Sequence, residues 1–336
     1  MVASAGWRAM TDRPELSEQL NAGVIGVGSM GYHHARVYAE LPDVRLAGVC
    51  DVDDEAASAA AREFGTASMD RSELLGAVDA VSIAVPTRYH YDVVRECIAR
   101  GVDVLVEKPF VDDVDKGREL AGLADQRGIT LQVGHIERFN PATRVLADIV
   151  PDLDIVGIDV DRLGPPLDRD NEDNVVKDLM IHDIDILLSL VDSDIDSLSA
   201  TAHDDRHVTA QFRFADDCVA TVTASRLTQE KVRRLSLTAR SCRVNVDFIS
   251  QSVEIHRRSH PEYVESDGDI RYRHESVVER PMVKNGEPLK AELSAFCEAA
   301  CEGSEPVVTA EDALDVLDVI EQIENRALAP KTAIRS

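Results

Sequence analysis

The chain has 336 residues, of which 44% are hydrophobic, and carries a formal net charge of −26 from 62 acidic and 36 basic residues. That length accommodates two domains with sizeable cores. The acidity argues against nucleic acid or an anionic membrane as a partner, and no apolar run approaches the roughly 20 residues of a spanning helix. What remains open is a soluble protein that binds or transforms small molecules.

Residues 1–20 lack an apolar signal core and read as a flexible tail, within which Met10 offers a second start. Then strand and helix alternate. "AGVIGVG" (22–28) reads as a buried strand, "SMGYHHARVYAEL" (29–41) as a helix, "RLAGVCD" (45–51) as a strand and "DEAASAAAREFG" (54–65) as a helix. "AVSIAV" (80–85), "DVLVEK" (103–108) and "ITLQVGH" (129–135) continue the series, with helical segments between them. Short apolar strands separated by helices predict a parallel sheet covered on both faces.

The pattern changes near residue 140. After "NPATRVLADIV" and "VGIDVDRLG" comes a helix, "VVKDLMIHDIDI" (175–186), and from 197 to about 284 the chain reads as consecutive alternating strands with tight polar turns. That predicts an antiparallel sheet. Helices over 288–303 and 309–328 close the chain, the second with a capped start at Thr309 and Asp312. The fold class is therefore α/β, with a dinucleotide-type domain over 21–140 and an α+β domain with an open-faced, predominantly antiparallel sheet over 141–336. The helix 309–328 is expected to pack back on the first domain. The six cysteines form no C-x-x-C and read as reduced, buried thiols; no histidine pair has metal-ligand spacing, so no metal is expected.

Gly26, Gly28 and Gly31 form a G-x-G-x-x-G between the first strand and the first helix. The first glycine permits the tight turn, the second lets backbone approach a pyrophosphate at the helix N-terminus, and the third lets helix pack on strand. Asp51 ends the second strand 20 residues after Gly31. A carboxylate there accepts the adenosine ribose hydroxyls and repels a 2′-phosphate, which favours NAD over NADP. Ser29 and Met30 complete the loop. Ligands bind outside the carboxyl ends of parallel strands, so "VPTRYH" with Pro86, Thr87 and His90, and "VEKPF" with Glu107 and Lys108, are the next candidates.

The helix 175–186 is apolar nearly all round, yet it carries Lys177, Asp178, His182, Asp183 and Asp185. Charges in such a helix cost stability unless paired or functional. Four residues on an α-helix place Asp178 and His182 on one face, from which Asp183 and Asp185 turn away, Asp183 toward nearby backbone and Asp185 in a structural role.

The glycine loop, the strand-end aspartate, "EKP" (107–109), "GHIERFNP" (134–141) and "DLMIHDID" (178–185) occur in this order across some 160 residues. Together they resemble the glucose-fructose oxidoreductase, inositol dehydrogenase and rhizopine catabolism family, Gfo/Idh/MocA. The resemblance implies a Rossmann domain, NAD as cofactor, and a catalytic group of Lys108, Asp178 and His182. His182 would be the general base on a sugar hydroxyl, Lys108 would stabilise the alkoxide, and Asp178 would orient the imidazole or bind a substrate hydroxyl. The segment before Asp178 departs from the glycine-rich run of many members. Arg162, Gly164, Pro165, Arg169, Val175 and Val176 resemble instead the branch that oxidises UDP-N-acetylglucosamine at C3. Arg138, Arg162 and Arg169 are candidate phosphate donors, with Arg138 also a candidate cofactor contact and Asn140 a candidate substrate contact. A free polyol dehydrogenase and a non-catalytic NAD- and sugar-binding regulator are the alternatives. The resemblance further implies a homodimer or homotetramer in the cytoplasm. Acidic residues spread over the whole chain, with arginine favoured over lysine, resemble the proteins of salt-loving archaea.

Overall fold

The computed structural model describes residues 19–166, 174–258, 262–266, 269–273 and 276–328. Strands β1 (Leu20–Ile25), β2 (Val44–Cys50), β3 (Ala67–Ser68), β4 (Ala80–Ile83), β5 (Asp103–Glu107) and β6 (Leu131–Gly134) form one parallel sheet in the order β3-β2-β1-β4-β5-β6. The order reverses between β1 and β4, which opens a crevice at the strands' carboxyl ends. Helices α1 (Ser29–Glu40), α2 (Asp54–Phe64), α3 (Arg71–Leu75), α4 (His90–Ala99) and α5 (Val114–Arg127) make the crossovers. Their ends are written locally. Asp53, Asp70 and Asp113 accept first-turn N–H groups, and Gly65 and Gly128 close α2 and α5 in the left-handed region. Val81, Ile83, Val104, Val106 and Val133 are fully buried, as a sheet covered on both faces requires.

Helix α6 (Pro141–Ile149) leads into the second sheet. Its strands are β7 (Ile155–Leu163), β8 (Ile195–Asp204), β9 (His207–Phe214), β10 (Val219–Ser225), β11 (Val232–Ala239), β12 (Cys242–Asp247) and β13 (Ser252–Arg258), with β16 (Ser276–Glu279) at one edge. The order is β16-β13-β12-β11-β7-β10-β9-β8, while β14 (Glu262–Ser266) and β15 (Asp269–Arg273) pair separately. The sheet is antiparallel except where β7 runs parallel to β10. The chain leaves β7, crosses through α7 (Ile181–Leu190), enters at the far edge with β8 and returns beside β7 as β10. Alternate residues (Ile158, Val160, Phe212, Val222, Leu235, Leu237) pack inward against Ile184, Leu187, Val316, Ile320 and Ile323. Each such side chain contributes about 1.5–3 kcal/mol by burial. The other face is open, with Val156 and Val219 exposed.

The last two helices do not stay with the second sheet. Helix α8 (Pro288–Glu302) lays Leu289, Leu293 and Phe296 against Val24, Tyr38 and Leu105 beside α1. Helix α9 (Ala310–Ala327) serves both cores, with Ala313, Leu314 and Leu317 in the first and Val316, Val319 and Ile320 in the second. The cysteines are free thiols, but Cys301 is exposed and Cys50 only half-buried, because the outer faces of α8 and β2 meet solvent. No helix among the described residues is long and apolar enough to cross a membrane.

Candidate active site

The glycine loop joins β1 to α1. Gly26 has φ +88°, and a Cβ there would meet the Ala84 carbonyl oxygen at 2.7 Å. A Cβ on Gly31 would lie 1.7 Å from the Gly26 oxygen, so only glycine lets α1 sit this close to the loop. Gly28 is the opposite case: among the described residues nothing lies within 4 Å of its Cβ position. Gly28, Ser29 and Met30 are exposed at the helix N-terminus, where backbone N–H groups and the helix dipole favour a phosphate. Asp51 Oδ2 accepts the Val27 N–H at 2.6 Å and Oδ1 accepts that of Asp53 at 2.9 Å. Asp51 thus braces the loop, and each oxygen keeps lone pairs for a ribose hydroxyl. These residues fit a dinucleotide.

Pro86 and Thr87 form the surface turn after β4. His90 does not join them at the surface, contrary to expectation. It is buried, with Nε2 2.8 Å from the Val85 oxygen and Nδ1 3.0 Å from that of Pro109, so it clasps the β4 loop to the β5 loop. Burial lowers its pKa. Glu107 also points inward, its Oε1 2.9 Å from Nε2 of His34 on α1. Burial raises the Glu107 pKa, but the His34 bond and the charges of His34 and Lys108 outweigh it and the net shift is downward. In this conformation both residues hold the frame of the site and leave the surface contacts to Pro86 and Thr87.

Lys108 follows directly. Its Nζ donates to the Asp178 carbonyl oxygen at 3.0 Å and to Oδ1 at 3.2 Å, which leaves one of its three N–H donors free of these bonds. Asp178 stands in a widened π-helical turn, Val176–Met180, ahead of α7, where a regular α-helix was expected. Asn174 caps that turn through the N–H groups of Val176 and Lys177. Such turns leave carbonyls displaced from the regular ladder, and Lys108 uses that of Asp178. Arg226 Nη2 holds the other carboxylate oxygen. Burial works against the Asp178 charge, yet Lys108 and Arg226 outweigh it and lower its pKa.

His182 lies one turn on. Among the described residues neither ring nitrogen is hydrogen-bonded, and no bond joins it to Asp178. Asp178 therefore orients Lys108 in place of the imidazole. Nδ1 is enclosed without a partner, leaving Nε2 as the open nitrogen. Burial, and then the positive charges of Lys108 and Arg162, push its pKa well below 6.5. A neutral imidazole beside a bound ammonium is equipped to accept a proton.

The arginines depart from expectation. Arg162 is 3% exposed; its Nε bonds both Asp183 oxygens at 2.8 Å and its Nη1 bonds Glu137 at 3.0 Å. Arg138 is bound through Nε to both Asp185 oxygens at 3.0 Å. Both are internal ties, which corrects their reading as phosphate donors and explains how α7 tolerates Asp183 and Asp185. Asn140 likewise caps α6 through the Ala142 N–H and donates to the Phe248 oxygen, so it is a structural join. Arg169 lies outside the described residues. Arg226, Arg233, His34 and His135 were missed. Only strand pairing brings the first two to the site; His34 carries no local motif, while His135, whose charge acts on His182, lies inside the "GHIERFNP" run without having been singled out.

The profile of an oxidoreductase family with an NAD-binding Rossmann fold, GFO_IDH_MocA, matches residues 20–135, and that of the GFO/IDH/MocA C-terminal domain matches residues 159–245. The amino-terminal sheet is thus an NAD-binding domain. The chain is 34% identical over 248 residues to the UDP-N-acetylglucosamine 3-dehydrogenase of Acidithiobacillus ferrooxidans, covering 71% of this chain and 77% of that one. A solved structure of that enzyme superposes with a TM-score of 0.84 at 30% identity, covering 93% of this chain and 98% of that one. A scyllo-inositol 2-dehydrogenase of Bacillus subtilis is 30% identical over 196 residues, 55% of this chain and 57% of that one. The chain belongs to the Gfo/Idh/MocA family of NAD-binding oxidoreductases.

Proposed function

We propose that the protein oxidises a secondary hydroxyl of a sugar nucleotide, UDP-N-acetylglucosamine at C3, to a ketone. The observation that carries the chemistry is the Lys108 ammonium, fixed by Asp178 with a donor to spare, beside an uncharged His182. The spare Lys108 N–H donates to the substrate oxygen and stabilises the alkoxide as it forms. His182 Nε2 takes the hydroxyl proton, a contribution of roughly 10²–10⁴-fold. Asp178, neutralised by Lys108 and Arg226, keeps the ammonium aimed. NAD, when bound on the Gly26–Gly31 loop and Asp51, supplies the hydride acceptor.

The choice of a sugar nucleotide is supported by the likeness to the Acidithiobacillus enzyme along nearly the whole chain. The likeness to the inositol dehydrogenase, over little more than half of either chain, keeps a free polyol as the second reading. A purely regulatory role needs none of Lys108, Asp178 and His182, and all three are present. The open face of the second sheet, with Val156 and Val219 exposed, suits a homodimer or homotetramer. NADH formation at 340 nm with a panel of UDP-sugars and free polyols tests the substrate. UDP-N-acetylglucosamine is expected to give the highest kcat/KM; turnover of myo-inositol with none of any UDP-sugar overturns it.

A further inference from the structure

Arg162 and Arg138 are engaged by internal carboxylates, and the one Arg162 nitrogen left without a partner among the described residues, Nη2, is enclosed, so the substrate's diphosphate calls for a cation within reach of solvent. The pairing of the second sheet supplies one. Arg233 of β11 stands opposite Arg162 of β7, and Arg162 in turn stands opposite Ala224 of β10. Leu235 and Leu237 alternate with solvent-facing neighbours along β11 and are buried. Arg233 shares their parity, so its side chain starts on the covered face, the face that carries α7. Its charge is felt at His182 and Asp183, which puts it within electrostatic range of the catalytic group without contact to it.

Four cations converge here, Lys108, Arg162, Arg226 and Arg233, against three carboxylates, Asp178, Asp183 and Glu137. Lys108 and Arg226 share Asp178; Arg162 takes Asp183 and Glu137. Among the described residues Arg233 meets no carboxylate at ion-pair distance. Its Nη1 makes two long contacts, to the carbonyl oxygens of Leu163 at 3.4 Å and Val232 at 3.3 Å. Its remaining N–H groups are not among the enclosed, partnerless atoms of the core, so they are open to solvent. Burial, and then Arg162, lower its pKa. In a chain of net charge −26, a half-buried guanidinium without a counter-ion costs stability. That cost is offset when an anion arrives, and a guanidinium fork matches phosphate oxygens in pairs.

We infer that Arg233 is a specificity-determining residue that receives the diphosphate of the substrate. This rests on the sugar-nucleotide reading above. The probe is UDP alone, titrated calorimetrically into the NADH-loaded protein, for the wild type, Arg233→Met and Arg233→Lys. Wild type binds UDP; Arg233→Met weakens it about 10- to 100-fold, the scale of a charge-assisted hydrogen bond. Arg233→Lys falls between them, because a point charge replaces the fork. NADH affinity, read by its fluorescence, stays within about twofold in both variants and shows that they are folded; the lysine variant carries the test should the methionine variant not fold. In turnover, KM for the UDP-sugar rises more than kcat falls, the split expected of a binding contact away from the reacting atoms. Equal UDP affinity in wild type and variants overturns the role of Arg233 and leaves the substrate class standing. A wild type that does not bind UDP overturns the substrate class, and Arg233 with it.

Discussion

Two glycines three residues apart should fail in different ways when each is changed to alanine. At Gly31 the new Cβ would sit 1.7 Å from the Gly26 oxygen and 2.8 Å from its carbonyl carbon. Both are backbone atoms, so no rotamer change relieves the contact, and the loop and α1 must part by more than about 1 Å within an interior packed as densely as a crystal. Overpacking of this kind costs about 3 kcal/mol or more. At Gly28 the new Cβ meets nothing within 4 Å, and φ of −65° suits any residue. The apo protein should lose about 1 kcal/mol or less, the difference between glycine and alanine at an N-cap. Yet that empty space is where a pyrophosphate approaches the helix N-terminus, and a methyl group there holds it off. Losing one charge-assisted backbone contact weakens binding by about 10- to 100-fold. Urea unfolding of the apo protein, paired with NADH fluorescence titration, separates the two. Gly28→Ala should unfold with nearly the wild-type midpoint and bind NADH poorly; Gly31→Ala should be lost mainly in stability. Wild-type NADH affinity in Gly28→Ala would refute the placement of the dinucleotide on this loop.

Three further outcomes follow from the same geometry. Asp51→Ala removes both the charge that repels a 2′-phosphate and the brace on Val27; kcat/KM with NAD should fall and the preference over NADP should narrow, and a wild type that prefers NADP would contradict the assignment. Glu292 is fully buried on α8 with both oxygens unpartnered among the described residues, and burial, then the charges of Glu107 and Asp185, raise its pKa well above 4.5. Folding therefore takes up a proton. The stability it confers is complete below the unfolded value of about 4.3 and drains away as pH rises toward the folded one. Glu292→Gln should gain on the wild type in Tm between pH 5 and pH 8, and parallel pH profiles would refute this. Finally, with a net charge of −26, self-repulsion should be screened as the Debye length shrinks from about 10 Å at 0.1 M salt to about 3 Å at 1 M, so Tm should climb from dilute buffer to molar KCl; a flat Tm would remove the salt-adapted reading.

What could be read from the sequence was whatever chemistry writes locally. The G-x-G-x-x-G with Asp51 is local, and so is a lysine at a strand end before proline. Element bounds came within a few residues for β1, β2, β4, β5 and β6 because period, caps and glycine stops agree there, whereas β3, only two residues long, was not read at all. The environment of α7 was not legible. Asp183 and Asp185 find partners on β7 and on the turn after β6, and those partners are set by how β7 threads between β10 and β11. For the same reason Arg162 and Arg138 looked like free cations and are not. Arg233 went unnoticed because its place opposite Arg162 is a matter of strand register. The π-turn at Val176–Met180 escaped since its residues, Val, Lys, Asp, Leu and Met, are ordinary helix formers in sequence. His90 and Glu107 lie beside the cofactor loops in sequence, but their side chains turn into the frame.

The most direct test asks whether Lys108 and His182 serve one oxygen. Turnover on the best UDP-sugar and NADH affinity should be measured together for Lys108→Ala, His182→Ala and the double variant. Each single change should lower turnover by roughly 10²–10⁴-fold and leave NADH affinity nearly intact. The double variant should fall short of the product of the two losses, because the groups act as a unit. Near-normal turnover in His182→Ala, or losses that multiply in full, would contradict the assignment of a shared alkoxide to this lysine and this histidine.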